Sequence, residues 1–543
     1  MKLTAKEIIE RYNSAYSIKT SWDTEYRNVF EYCMPSRDGY QKAVSAEKVL
    51  PDFQDRRENL YSSVGEQSAS DFVNTMQEVL CPPQGDWISL KSGSRIKTDD
   101  AKKLDVELGK ISDLANEHKN MSTFDMAFSE FCYDVFAGTG CMLILPGKNP
   151  TQPISFRAIP LRQYCIEEGA YGEVRAVYRK FTMKRELVKY QWKELKSMKV
   201  LSSDACKDMN LIECTYYDYD LHIFHYQVIN QDEEMELVAR EYKTNPFVVL
   251  RWNKMAGEPY GRGVGLTALN DIKTLNLIKY YGLRNLAFNT PPLLVQEDDM
   301  LDIDGLTLEP WSLNVVPDTD SSIVPLQINT NHNIESFRVR ELTMDIKRNT
   351  FASTLPTEGA RQLTATEIIT RKKELQRALN SVFGRLISEF QIPLIRRIFD
   401  VLIDTKVIKA PNPETGEQGF DVAKINGFIY KVNIITPLGR IVKQGEAQAL
   451  LNIAATLVNF DPSGQVLANS TDLPGMISRF LELEGLPAKF IKTPEEIKTN
   501  ATEAARAQGQ AAQAAAEADV ATANAKEMGK AGAKIVQEEA TRG

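Results

Sequence analysis

Three glycines near the middle of the chain have a spacing that could hold a phosphate group. Gly261, Gly263 and Gly265 precede a long helical pattern, and backbone N–H groups at a helix start attract anions. The spacing matches neither the dinucleotide-binding fingerprint nor the Walker A pattern, and the chain contains no Gly-Lys-Ser or Gly-Lys-Thr. We therefore interpret these glycines as a flexible turn between a sheet and a helix. The sequence predicts no ATP-driven motor in this chain.

Two other groups of residues could bind a metal ion. Asp298, Asp299, Asp302 and Asp304 could hold magnesium for phosphoryl transfer, but no histidine or lysine is set in a comparable pattern nearby. A solvated acidic surface is the favoured interpretation. His222 and His225 lie three residues apart in a strand-like run, which places them on opposite faces. We expect no metal site, no cofactor and no catalytic residue.

Composition places the chain among ordinary folded proteins. Its 543 residues are enough for two or more folding units, and hydrophobic residues make up 43% of them. Seven cysteines, with no Cys-x-x-Cys pair, indicate reduced thiols rather than a disulfide framework. No apolar run approaches the length that spans a bilayer, so we expect no membrane contact. The net charge of −8 is the opposite of what a protein that grips DNA phosphates carries.

The elements that must position these residues begin with helices. Thr4 and Glu7 form a capping box that opens one helical run, and a second run carries Trp22 to Phe30. A further helix is predicted over 60–80, followed by a short strand in WISLKSG. From about Phe131 to Arg251, β-branched and aromatic residues alternate between turn residues, which predicts a mostly antiparallel sheet region.

The second half of the chain predicts a helix, a small β-rich insert and another helix. The helices fall at 266–289 and 334–351, and the insert contains short strand-like pieces broken by acidic turns. A capping box at Thr364 and Glu367 opens a long helix that Pro393 should kink or restart. A short strand in FIYKVNII and several helices to about residue 490 follow. The alanine-rich tail is either a lone surface helix or disordered.

Two segments of the chain resemble the portal, or head-to-tail connector, family of short-tailed bacteriophages. One is YGRGVGLTALNDIKTLNLIKYYGL, and the other is QLTATEIITRKKELQRALNSVFGRLISEFQIPLIRRIFDVL, which includes the proline that divides the helix. Weaker matches, among them LCPPQGDWISL and PLGRIVKQGEAQAL, extend the resemblance over about residues 5–490. The turn Glu167 to Gly172 departs from the family pattern, and the alanine-rich tail has no counterpart in it.

The resemblance implies an α+β portal fold with an α/β wing, paired stem helices, a small β-rich clip and a helical crown. The implied parts are the wing at 1–255, stem helix 1 at 256–290, the clip at 291–333, stem helix 2 at 334–351, the tunnel loop at 352–363, the long wing helix with its return strand at 364–440, the crown at 441–490 and the tail at 491–543.

Three sets of site residues follow from this architecture. The tunnel loop that meets DNA would use Thr354, Thr357, Glu358, Arg361 and Gln362. The stem that lines the channel would use Lys273, Lys279, Arg284, Arg340, Lys347 and Arg348. The clip that docks the tail adaptor would use Leu301, Leu306 and Trp311, which have little local core to fill.

The function implied by the resemblance is a ring of about twelve copies at one capsid vertex, through which DNA is packaged and ejected and to which the tail attaches. Its partners would be the major capsid and scaffolding proteins, the terminase motor, the tail adaptor, internal core or ejection proteins at the crown, and double-stranded DNA. The ring would be part of the virion and assemble in the host cytoplasm. Two alternatives remain at this point: a metal-dependent DNA-processing enzyme such as a nuclease, and a tail adaptor ring that is not a portal.

Overall fold

The computed structural model describes most of the first 352 residues and selected segments beyond them. The described ranges are 2–37, 59–93, 96, 98–149, 151–192, 195, 208–289, 294–297, 313–316, 332–352, 382–409, 420–421, 425, 430–432 and scattered positions from 446 to 529. The chain divides into two compact units, Met1–Leu438 and Gly439–Gly543.

The first unit opens on one long helix, α1 (Ala5–Cys33), which begins at the predicted capping box of Thr4 and Glu7. The prediction of two separate helical runs in this region was wrong. No proline or glycine interrupts the segment, and the buried positions keep one helical period from Ile8 to Cys33. The segment is therefore one continuous helix that does not turn back on itself.

Three more helices and a short strand follow α1. They are α2 (Val64–Leu80), β1 (Leu90–Ser92), α3 (Thr98–Asn120) and α4 (Phe124–Ala137). The helix predicted over 60–80 is confirmed apart from its first turn. The predicted sheet region starts at Thr139 and not near Phe131, because the apolar run around Phe131 is the buried face of α4.

The sheet region forms two antiparallel sheets, as the alternating pattern predicts. Its strands are β2 (Thr139–Asn149), β3 (Gln152–Ile159), β4 (Tyr164–Glu168), β5 (Val174–Lys184), β6 (Asp208–Asp218), β7 (Ile223–Asn230), β8 (Met235–Tyr242) and β9 (Phe247–Arg251), with helix α5 (Arg185–Gln191) after β5. One sheet has the order β3-β2-β9, and the other has the order β4-β5-β6-β7-β8.

Two apolar cores hold these layers together. The larger one joins α1, α2 and α4 to the three-stranded sheet and contains an aromatic group around Phe72, Phe128 and Trp252. The smaller one lies between the first turns of α1 and the five-stranded sheet, where Ile8 and Tyr12 contact the strands. Because α1 contributes to both cores, it fixes the two sheets relative to each other.

The predicted order of helix, insert and helix is confirmed. Helix α6 (Val264–Asn289) is followed by β10 (Leu294–Glu297) and β11 (Leu313–Val316), which pair in parallel, and then by α7 (His332–Asn349). The two helices pack against each other. The side chains predicted to dock the tail adaptor, Leu301, Leu306 and Trp311, lie outside the described residues.

The predicted break near Pro393 is also present. A π-helical segment (Leu386–Gln391) leads into α8 (Ile392–Asp404), with the proline in the first turn of the new helix. Strand β12 (Tyr430–Val432) then pairs antiparallel with β1. In the second unit, the described positions between 446 and 481 are helical, in agreement with the helices expected there, and Arg479 pairs with Glu446 at 3.1 Å.

Candidate functional site

The helix pair of α6 and α7 leaves large apolar side chains exposed. The first half of α6 is buried, with Ile272 and Leu275 in the main core. Beyond it the exposed fractions are high, and the members of this exposed apolar set are Leu277 (51%), Tyr281 (54%) and Leu283 (54%) on α6 with Phe337 (67%) and Met344 (61%) on α7. Apolar groups that a helix pair leaves uncovered commonly mark a surface that contacts another molecule.

The same helices are richer in basic than in acidic residues, although the whole chain is net negative. Their sequences contain seven lysines and arginines against four aspartates and glutamates. This local excess lies on the elements that the sequence predicts to line a channel. The helix pair therefore has an electrostatic character opposite to that of the chain as a whole.

The predicted stem residues lie in different surroundings. Lys273 is half-buried, with its ammonium 5.3 Å from the centre of the Tyr32 ring, so it faces α1. Lys279 and Lys347 are half-buried, and Arg284, Arg340 and Arg348 are exposed. Because α6 and α7 pack against each other, the predicted stem residues of the two helices lie on neighbouring elements. Their contact with DNA remains a prediction.

A close backbone crossing fixes the start of α6. A Cβ added at Gly263 would meet the Phe136 carbonyl oxygen at 2.1 Å, and one added at Gly261 would meet the Gly138 carbonyl oxygen at 2.6 Å. The amide of Gly263 donates to the Ala137 carbonyl at 3.1 Å. The predicted turn between sheet and helix is present between β9 and α6, but its glycines are required for close packing rather than for flexibility.

Backbone amides at this crossing, which a phosphate would need as donors, already donate hydrogen bonds to other groups of the chain. The Gly261 amide donates to Thr139 Oγ1 at 2.9 Å, and the Tyr26 hydroxyl donates to the Gly261 carbonyl at 2.7 Å. Burial raises the pKa of Tyr26, so its hydroxyl stays protonated and remains a donor. The amides of Gly261 and Gly263 are thus already bonded within the chain and do not point to a bound phosphate.

Asn276 ties the middle of α6 to the segment that precedes α2. Its Oδ1 accepts from the amides of Tyr61 at 2.7 Å and Ser62 at 3.2 Å, and its Nδ2 donates to the Asn59 carbonyl at 3.1 Å. The rings of Tyr61 and Tyr280 lie 4.9 Å apart at the same place. The buried half of α6 is thus held by polar as well as apolar contacts.

A buried arginine joins the π-helical segment to both sheets. Arg251, at the end of β9, pairs with Glu389 at 2.7 Å and with Glu168 at 3.4 Å, and it donates to the Gly172 carbonyl at 2.8 Å. Glu168 also pairs with Lys254. We call this group of Arg251, Glu168 and Glu389 the Arg251 joint. The sequence alone did not predict it, since its members lie up to 221 residues apart and none belongs to a local motif.

The two histidines do not share a site. The His222 ring lies 2.9 Å from the Tyr217 hydroxyl, whereas His225 is buried with Nε2 3.3 Å from Asp218. Within the described part of the chain, no group of three histidine, cysteine or acidic residues is placed to hold a metal ion. The four aspartates from Asp298 to Asp304 lie outside the described residues, as does the predicted tunnel loop from Thr354 to Gln362.

The described structure thus combines a helix pair that carries exposed apolar side chains with a tightly packed α+β region. None of the helices in the described ranges has the length and apolar composition of a membrane span. The chain belongs to the bacteriophage head to tail connecting protein family, whose model matches residues 5–491. It is therefore a phage connector and a component of the virion, and its α+β fold is the one that the sequence predicted.

Comparison with solved structures finds distant likenesses to this chain. The neck of an empty GTA particle, computed with C6 symmetry, matches with 10% sequence identity and a TM-score of 0.28, and the alignment covers 73% of this chain and 88% of that chain. No curated protein matches the chain. The family match alone carries the assignment.

Proposed function

We propose that this connector is the portal of a short-tailed phage, a closed ring at one capsid vertex through which DNA enters and leaves the head. The observation that supports the ring most directly is the exposed apolar set on α6 and α7, because such side chains are covered in a stable assembly. Neighbouring copies of the chain are the partners that cover it. A cyclic ring needs a heterologous interface in which one face of each subunit meets a different face of the next.

The charge of the chain suits a passage for DNA. A wall that bound phosphates tightly would trap the genome, and a subunit with a net charge of −8 repels more than it holds. The excess of basic residues on the helix pair supplies local, salt-sensitive attraction only where the stem approaches DNA. The stem would therefore guide DNA without holding it.

The remaining parts of the ring are assigned to partners by the same proposal. The clip at 291–333 docks the tail adaptor and the crown faces the internal core or ejection proteins. The major capsid and scaffolding proteins and the terminase motor are further partners of the ring. Assembly takes place in the host cytoplasm. The ring contributes no catalytic chemistry, since the motor ATPase is a separate protein.

Purified protein should form closed rings of about twelve copies without metal or nucleotide, because side-chain interfaces close the ring. The measurement is negative-stain imaging and native mass in the presence of a chelator, together with ATPase and magnesium-dependent nuclease assays. Rings that dissociate in chelator, or DNA cleavage by a monomer, would contradict the proposal and favour the enzyme.

A matched pair of substitutions tests where the ring closes. Leu277→Asp places a charge in the exposed apolar set and should sharply reduce ring yield, since a buried unpaired carboxylate is costly. Leu187→Asp makes the same change on α5, where the side chain is equally exposed at 51%. We expect Leu187→Asp to leave rings intact. Equal yields from the two variants would show that the helix pair does not form the interface.

The tunnel-loop assignment has its own test. Arg361→Glu adds two negative units per subunit at the proposed narrowest point, so it should weaken retention of packaged DNA more than it weakens ring assembly. The effect should grow at low salt, where phosphate repulsion is less screened. The measurement is DNA retained per head beside ring yield. Unchanged retention in intact rings would remove this loop from the DNA path.

A further inference from the structure

The helix pair of α6 and α7 leaves the main core at one end only. Leu275 on α6 is buried in that core, and the positions from 277 to 285 that follow it are half-buried or exposed. Ile346 on α7 is buried in the same core, and the positions from 336 to 345 that precede it are half-buried or exposed. Because α6 starts in the core and α7 ends in it, the two helices run in opposite directions.

This arrangement places Leu277 and Met344 at the same level of the helix pair. Leu277 comes two residues after Leu275, and Met344 comes two residues before Ile346. Since a helix rises by about 1.5 Å per residue, both side chains leave their helices about 3 Å beyond the core.

Each helix has one exposed face that combines apolar residues at helical spacing. On α6, Leu277 and Tyr281 are exposed and four residues apart, which places them on one side of the helix. We call these two residues the Leu277 face. On α7, the exposed residues on one side are Phe337, Glu341, Met344 and Asp345, and we call them the Phe337 face.

The charges of the two helices disfavour contact between like faces. Helix α6 contains three basic residues and a single acidic one, Asp271. Three of the four acidic residues of the pair are on α7, and two of them, Glu341 and Asp345, belong to the Phe337 face, which ends at Arg348 on its core side. Two α6 helices in contact would bring together like charges, whereas α6 against the Phe337 face brings its basic residues near carboxylates.

Cyclic symmetry makes the same distinction. Rotation about a ring axis keeps each residue at its height, and a ring of more than two copies closes only through two different faces. Where the helix pair runs along the axis, Leu277 of one copy and Met344 of the next therefore lie at matching heights.

We propose that the Leu277 face of each copy packs against the Phe337 face of the next copy, so that α6 and α7 alternate around the stem. This inference rests on the proposed portal ring and names the partner of its exposed apolar set. The contact covers Leu277, Tyr281, Phe337 and Met344 together, and tyrosine is among the residues that contribute most at such interfaces.

The test is cross-linking of full-length rings that carry one new cysteine on each face. Leu277→Cys combined with Met344→Cys, treated with a short bismaleimide, should give a ladder of covalent oligomers on a denaturing gel. Each single variant should give no more cross-linked product than the wild type, because different faces meet. The six cysteines of the described residues are buried, and wild-type protein treated in parallel measures any background.

A second pair, Tyr281→Cys with Phe337→Cys, repeats the test in case the first pair fails to assemble. Leu187→Cys with Met344→Cys is the control, since Leu187 is equally exposed on α5, and it should give no ladder. Intact rings without a ladder in either pair, or dimers from Leu277→Cys alone, would overturn this inference while leaving the ring in place. A wild type that forms no rings would contradict the proposed function itself.

Discussion

Replacing Arg251 with methionine should lower the free energy of unfolding of the first unit by about 3 kcal/mol, because it leaves the carboxylate of Glu389 with only the partly exposed Arg385 as a partner. The Arg251 side chain is 2% exposed, whereas those of Glu389 and Glu168 are 19% and 23% exposed. Partial solvation of the two carboxylates places the expected loss at the lower end of the range for broken buried pairs. Methionine retains much of the volume, so lost packing contributes little.

Arg175→Met is the control for this change. Arg175 pairs with Glu167 at 3.5 Å near the same sheet, but its side chain is 31% exposed. Such a pair contributes about 0–1 kcal/mol, so the control should unfold close to the wild type. The measurement is urea unfolding of both variants followed by circular dichroism. A loss below about 1 kcal/mol for Arg251→Met would show that the joint is not a major source of stability.

A double-mutant cycle shows whether the pair itself is responsible. Glu389→Gln removes the charge but keeps an acceptor for the Arg251 amide, which donates to Glu389 Oε2 at 3.1 Å. In the Arg251→Met background this second change should cost much less than in the wild type, with a coupling energy of about 2 kcal/mol. Additive losses would indicate that the two residues stabilise the fold independently.

The sequence predicted the elements whose signals are local. The capping box at Thr4 and Glu7 marks the start of α1, and the helical period and the proline at position 393 mark the break before α8. Segments of alternating β-branched and aromatic residues between turns predict the antiparallel sheets, and the two long helical patterns predict α6 and α7. Each of these signals depends on residues within about one or two turns of each other.

The joints between elements could not be predicted in the same way. Arg251 and Glu389 are ordinary charged residues at ordinary spacings, and only the packing of β9 against the π-helical segment brings them together. Long-range pairings of this kind are decided by tertiary packing, to which a single sequence gives no direct access.

The glycines before α6 show a second kind of failure. Their pattern predicts a flexible turn, because isolated glycines commonly mark turns. In the structure Gly263 lies against the backbone of Phe136 and Ala137, and Gly265 lies against the Phe136 ring, where a Cβ would come within 2.4 Å. The glycines indicate a special backbone position. Whether that position is a flexible turn or a close approach of two backbones depends on α4, which lies more than a hundred residues earlier in the chain.

Gly263→Ala should therefore destabilise the first unit by about 3 kcal/mol or more, through overpacking against atoms that cannot move aside. The added Cβ would meet the Phe136 carbonyl oxygen at 2.1 Å and the Ala137 carbonyl carbon at 2.4 Å. These are backbone atoms at the end of α4, so relief requires α6 to shift away from the core. That shift would also weaken the hydrogen bond from the Gly263 amide to the Ala137 carbonyl.

The same substitution at Gly109 should have the opposite sign. Gly109 lies inside α3, and a Cβ added there meets nothing within 4 Å. Alanine in a helix interior is favoured over glycine by about 0.5–1 kcal/mol, so Gly109→Ala should leave the protein as stable or slightly more stable. Thermal unfolding and ring yield of the two variants, measured side by side, separate close packing from a general effect of alanine. If Gly263→Ala unfolds and assembles like Gly109→Ala, the crossing at the start of α6 tolerates a side chain, and the helix pair is positioned by other contacts.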